Sequence, residues 1–131
     1  MKLTIPFYLH KAGAVFPSPA TDYIEEDVDL NVHLIKNVPA TFIIRVQGKS
    51  MTDVGIHDGD LLVIDRSLKP KNFSTVVANV HDELVVKSFV NSKDKKFLTS
   101  GSKKIEDEII INDESDVFIW GVVTYVIHST Y

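Results

Sequence analysis

A serine on a turn and a lysine inside an apolar strand are the two residues whose types and setting could do chemistry together. Ser50 stands in Gly48-Lys49-Ser50-Met51, directly after the apolar run Thr41 to Gln47, where a turn can present its hydroxyl to solvent. A serine becomes a nucleophile at neutral pH only when a neighbouring base takes its proton. Gly-x-Ser turns more often serve local structure, so Ser50 by itself decides little. Lys87 interrupts Leu84-Val85-Val86-Lys87-Ser88-Phe89-Val90, and the two-residue period of a strand puts it on one face with Val85 and Phe89. Desolvation among apolar neighbours disfavours an ammonium and favours the neutral amine, a usable base. The plainer alternative is an edge-strand lysine that snorkels to water.

Other chemistries find less support. With no cysteine the chain has no disulfide, thiolate metal site or cysteine nucleophile, which fits a reducing cytoplasm. His10, His33, His57, His81 and His128 form neither an H-x-x-x-H nor an H-x-H pair, so no metal and no cofactor is expected. Asp58-Gly59-Asp60 reads as a turn into the next strand and lacks the further oxygen ligands of a calcium loop. A Gly-rich phosphate loop is missing too. The net charge is −4, from 14 basic and 18 acidic residues, and no long basic run tracks a phosphate backbone, so direct DNA binding is disfavoured. Lys93, Lys95 and Lys96 beside Asp94 read as a solvated hairpin, with a partner-docking patch as the alternative.

The elements that must position Ser50 and Lys87 are mostly strands. In 131 residues, 44% hydrophobic and 24% charged, there is material for one soluble domain with a sizeable core. Residues 1–28, with Pro6, Pro17 and Pro19, read as an extended N-terminal arm. Its first residues loosely imitate a secretory signal, but the apolar stretch is short, is broken by Thr4 and Pro6, and ends in His10-Lys11. No run approaches the roughly 18 apolar residues of a membrane-spanning helix. Asp29 to Asn37 reads as one short amphipathic helix capped by Asp29. Strands are predicted at Thr41 to Gln47, Leu61 to Asp65, Thr75 to Val80, Leu84 to Val90, Lys96 to Thr99, Glu108 to Ile111 and Val117 to Ile127. His81-Asp82 is a tight hairpin turn between two of them. The fold class expected for residues 29–131 is therefore mostly β: compact antiparallel sheets or a partly closed barrel.

Three segments in this order carry a family likeness: Phe16-Pro17-Ser18-Pro19-Ala20, then Gly48-Lys49-Ser50-Met51 with Gly55-Ile56-His57-Asp58-Gly59-Asp60-Leu61-Leu62, then Val86-Lys87. The chain resembles the UmuD and LexA-type self-cleaving Ser-Lys proteins, of S24 type, over nearly its whole length from Phe16. The resemblance implies a LexA C-terminal-domain-like fold, Ser50 as nucleophile and Lys87 as general base. The N–H groups near Ser50 and Met51 would be oxyanion donors, and the reaction would cut the chain's own arm. Met51 otherwise reads as core filler, with a wall of the cleavage site as the alternative. The implied cut is Ala12-Gly13, because the family often cuts before glycine, with Ala14-Val15 in reserve. Here Ala14 and Val15 separate that glycine from the Phe-Pro-Ser-Pro stretch, a departure from UmuD itself; Lys49, where UmuD has an acidic residue, is another.

Fewer than thirty residues precede the catalytic-domain sequence, which leaves no room for the DNA-binding domain of a LexA-type repressor. The resemblance is thus to the SOS mutagenesis protein. It implies stimulation by the RecA filament on single-stranded DNA, and a processed homodimer that joins a UmuC-type Y-family polymerase in translesion synthesis. A non-catalytic polymerase accessory module of the same fold stays open, as does a signal-peptidase-like enzyme, which a missing membrane anchor disfavours.

Overall fold

The structure is a computed structural model that describes residues 4–8, 24–93, 95–101, 104–111 and 116–131. The chain divides into two compact units, residues 1–36 and 37–131. In the first, β1 (Thr4–Tyr8) pairs antiparallel with β2 (Ile24–Asp29), Ile5 opposite Val28. Two strands thus lie where the sequence reads only as an extended arm. Neither stretch alternates apolar and polar residues cleanly, which is why periodicity did not reveal them. The single α-helix among the described residues is α1 (Leu30–Leu34), capped by Asp29, whose side chain accepts from the Asn31 N–H at 3.0 Å. It ends three residues earlier than predicted, because Ile35 is already extended.

In the second unit seven strands form one antiparallel sheet: β3 (Thr41–Arg45), β4 (Leu61–Asp65), β5 (Thr75–Val80), β6 (Glu83–Ser92), β7 (Lys95–Ser100), β8 (Lys104–Ile110) and β9 (Val117–Ile127). Their order is β3-β4-β9-β5-β6-β7-β8, so the sheet is open, with β3 and β8 at its edges. The expected antiparallel β class holds, as a sheet that does not close on itself. β5 and β6 meet through a two-residue turn, Val80 opposite Glu83, with His81 at φ 50° and Asp82 at φ 68°. Two successive left-handed residues make the tight turn whose twist matches that of a hairpin.

β9 is the longest of the seven strands, paired with β4 on one side and β5 on the other. A Cβ at Gly121 would run into Ile64, so glycine lets β9 lie close at that point. The register slips between Val77 and Ala78 and between Val63 and Ile64, leaving Trp120 and Thr124 as the extra residues of two bulges in β9. Alternation along β5 sends Val77 into one core cluster, with Val46, Met51, Ile56, Leu62 and Ile64, while Val76 and Ala78 join Phe89, Leu98, Val117 and Val122 in another. Ser50 adjoins the first through Met51, and Lys87 lies on the strand face of Val85 and Phe89, which pack with the second. No described helix is long and apolar enough to cross a membrane.

Candidate active site

Ser50 lies on the loop that joins β3 to β4, and the base of this loop is stapled. The Val46 N–H donates to the Asp60 carbonyl at 2.8 Å, and the Gly59 N–H donates back to the Val46 carbonyl at 2.9 Å. Gly48 turns the chain with φ 104°, a conformation that favours glycine, and its N–H donates to Asp58 Oδ1 at 2.8 Å. Beyond it the N–H and Oγ1 of Thr52 both donate to the Lys49 carbonyl, at 3.3 and 3.0 Å, starting the 3-10 turn Thr52–Val54. Met51 is driven into the core, 3% exposed, against Ile56 and Leu62. That inward anchor leaves its neighbour Ser50 exposed on the turn. Met51 is therefore core filler and site wall at once, since it also lines the cavity next to Ser50.

Lys87 comes from β6, opposite Val76 of β5, and is half-buried. Its strand neighbours Val85 and Phe89 pack with the second cluster, as the alternation predicted. The ammonium group is not loose in water: Lys87 Nζ donates to Ser100 Oγ at 2.6 Å. Ser100 is the last residue of β7, and continuing the Ser88–Thr99 pairing by one step puts it across from Lys87. Its side chain is buried. Nothing in the sequence singled it out, because its role follows from strand register.

The loop and β7, the neighbour of the lysine strand, are tied together at Gly101. Its N–H reaches Met51 Sδ at 3.1 Å, its carbonyl accepts from Thr99 Oγ1 at 2.9 Å, and its φ is 74°. A Cβ there would collide with the Asp53 carboxylate. So the residue following the partner of Lys87 touches the side chain of the residue following Ser50. Between them lies a cavity of about 340 Å³, walled on one side by Arg45 to Gly48, Ser50 and Met51, and on the other by Leu84 to Lys87. Ser50 and Lys87 thus face one space from two separate elements, with no hydrogen bond joining them in this state. The N–H groups of Ser50 and Met51 donate to no other described residue, so both are available to a developing negative charge. Ala12, Gly13, Ala14 and Val15 lie outside the described residues.

The electrostatics of the loop centre on Asp60. The His57 N–H, donating to its Oδ2 at 2.8 Å, does most to hold the Asp60 carboxyl below the usual carboxylate range, against the opposing effect of burial. His128, 2.6 Å from Oδ1, adds to the lowering. His57 and His128 stand 71 residues apart, too far for any spacing signal to pair them.

A family model described as Peptidase S24-like matches residues 6–124. Protein MucA of Salmonella typhimurium is 42% identical to the chain over 122 residues, which cover 93% of the chain and 83% of that protein. Protein ImpA of Escherichia coli is 39% identical over 125 residues, 95% of the chain and 84% of that protein. A LexA repressor of Clostridium novyi (strain NT) is 34% identical over 107 residues, 82% of the chain but 52% of the repressor.

Proposed function

Because this chain belongs to the Peptidase S24-like family, we propose that it cleaves its own N-terminal arm, with Ser50 as nucleophile and Lys87 as general base. The observation that carries this reading is the shared cavity: an exposed serine on a stapled turn and a half-buried lysine from a different strand open onto the same space. In its neutral form Lys87 takes the proton of Ser50 Oγ, which attacks the carbonyl carbon of the arm peptide bond. The Ser50 and Met51 N–H groups receive the oxyanion. As the C–N bond breaks, the proton on Lys87 passes to the leaving amine, and an ester remains on Ser50. Water, deprotonated by Lys87, then hydrolyses the ester and restores both residues. The hydrogen bond to Ser100 fits this role, since an amine that gives one N–H to a fixed acceptor has fewer lone-pair directions open to it. Ala12-Gly13 is the bond proposed to break, with Ala14-Val15 in reserve.

Within this reading the reaction is a switch of the SOS response, stimulated in the cytoplasm by the RecA filament on single-stranded DNA. The shortened chain forms a homodimer that joins a UmuC-type Y-family polymerase for synthesis across lesions, without specific DNA contacts of its own. A second reading rests on one observation: Lys87 is engaged with Ser100 and not with Ser50. It makes the chain a polymerase accessory module that is not processed. Incubation at alkaline pH, which raises the neutral fraction of a lysine amine, separates the two. Self-cleavage predicts loss of mass from the N-terminus without any added protease; an unchanged mass favours the unprocessed module.

A further inference from the structure

Three ligand-bearing side chains that self-cleavage does not use meet at the other end of the Ser50 loop. The ligand atoms of His57, Asp60 and His128 all lie within 4.8 Å of one another. Strand register brings two of them together: Leu61 opens β4 opposite Ile127 at the end of β9, so Asp60 and His128 are the next facing pair. A tight turn brings the third. The His57 N–H donates to Asp60 Oδ2 at 2.8 Å, and the His57 carbonyl accepts from the Asp60 N–H at 3.0 Å. His128 Nδ1 is then 2.6 Å from Asp60 Oδ1, His57 Nδ1 is 3.8 Å from Oδ2, and the two imidazole centroids are 4.9 Å apart.

Two imidazoles and one carboxylate suit a borderline divalent ion such as Zn²⁺, whereas Mg²⁺ and Ca²⁺ want six or more oxygens. Tetrahedral bonds of about 2.0–2.2 Å separate neighbouring ligand atoms by about 3.3 Å. The observed separations, 2.6 Å from His128 Nδ1 to Oδ1 and 3.8 Å from His57 Nδ1 to Oδ2, lie on either side of that spacing, so a small turn of each ring would reach it. Asp60 is 2% exposed and fixed by its backbone hydrogen bond, while the His57 and His128 side chains are 50% and 47% exposed and can turn toward an ion. The N–H on Oδ2 is the kind of outer contact that orients a ligating carboxylate.

We propose that His57, Asp60 and His128 form a Zn²⁺ site, with water in the fourth position, that fastens the end of β9 to the loop carrying Ser50. The test uses the full chain with Ser50→Ala, which keeps the arm attached, after removal of metal with a chelator. Calorimetric titration with Zn²⁺ alone is expected to show one ion per chain, with a raised melting temperature, and Co²⁺ to give the absorption bands of a four-coordinate ion. His57→Ala and His128→Ala, both at half-exposed positions, are each expected to weaken Zn²⁺ binding by at least about 10-fold, since even outer contacts are worth 10- to 100-fold. His81→Asn, in the β5–β6 turn, is expected to leave it unchanged. No saturable binding, or equal binding in the His57→Ala and His128→Ala variants, overturns the proposal. Either result leaves the cleavage reading standing, because that is read from mass and not from metal.

Discussion

Lys87 Nζ donates to Ser100 Oγ at 2.6 Å across β6 and β7, and this contact aims the lysine into the cavity it shares with Ser50. Ser100→Ala removes the acceptor and leaves the amine free to rotate. A hydrogen bond is worth about 0.5–1.5 kcal/mol, so self-cleavage is expected to slow about 2- to 10-fold. The rate of N-terminal mass loss checks this. An unchanged melting temperature beside the slower rate distinguishes lost aim from lost fold.

Gly101 joins β7, the neighbour of the lysine strand, to the serine loop. Gly101→Ala meets both a left-handed φ of 74° and the Asp53 carboxylate. It is expected to destabilise the protein by more than about 1 kcal/mol and to slow cleavage as the Met51 contact shifts. Urea denaturation measures the first effect, and intact mass against time the second.

The core beneath Ser50 is a packing requirement. Leu62 is fully buried beside Met51 and Ile56. Leu62→Ala is expected to cost about 2–5 kcal/mol in urea denaturation, whereas Val38→Ala, at an exposed site, is expected to change stability by less than about 0.5 kcal/mol.

Asp60 sets a pH dependence of stability. Its folded carboxyl titrates below the ordinary value of 3.8, chiefly through the His57 N–H, so folding favours the charged form. The stabilisation is complete above the unfolded value and is lost as pH falls through the lowered folded value. In chelator-treated protein, Asp60→Asn is expected to flatten the loss of stability below about pH 4, as followed by urea midpoints at stepped pH.

Much of this arrangement was legible in local sequence. The runs Leu61 to Asp65, Thr75 to Val80 and Val117 to Ile127 are strands over the predicted residues, because β-branched density and bounding turns act locally. The Asp29 cap and the His81-Asp82 turn were readable for the same reason. Ser50 and Lys87 stood out by setting, one after a glycine turn and the other as a charge within an apolar run. What escaped depends on pairing between distant segments. Ser100 meets Lys87, Gly101 meets Met51, and His128 meets Asp60 only through register, which no single stretch encodes. β1 and β2 escaped because prolines and acidic residues blur their alternation.

The central claim is that Ser50 and Lys87 cut this chain. The most direct measurement is intact mass after incubation with activated RecA filaments, run beside Ser50→Ala and Lys87→Ala. The account predicts a loss matching residues 1–12 in the unsubstituted chain and none in either variant. Cleavage that persists in both variants, or no loss in the unsubstituted chain, would contradict it.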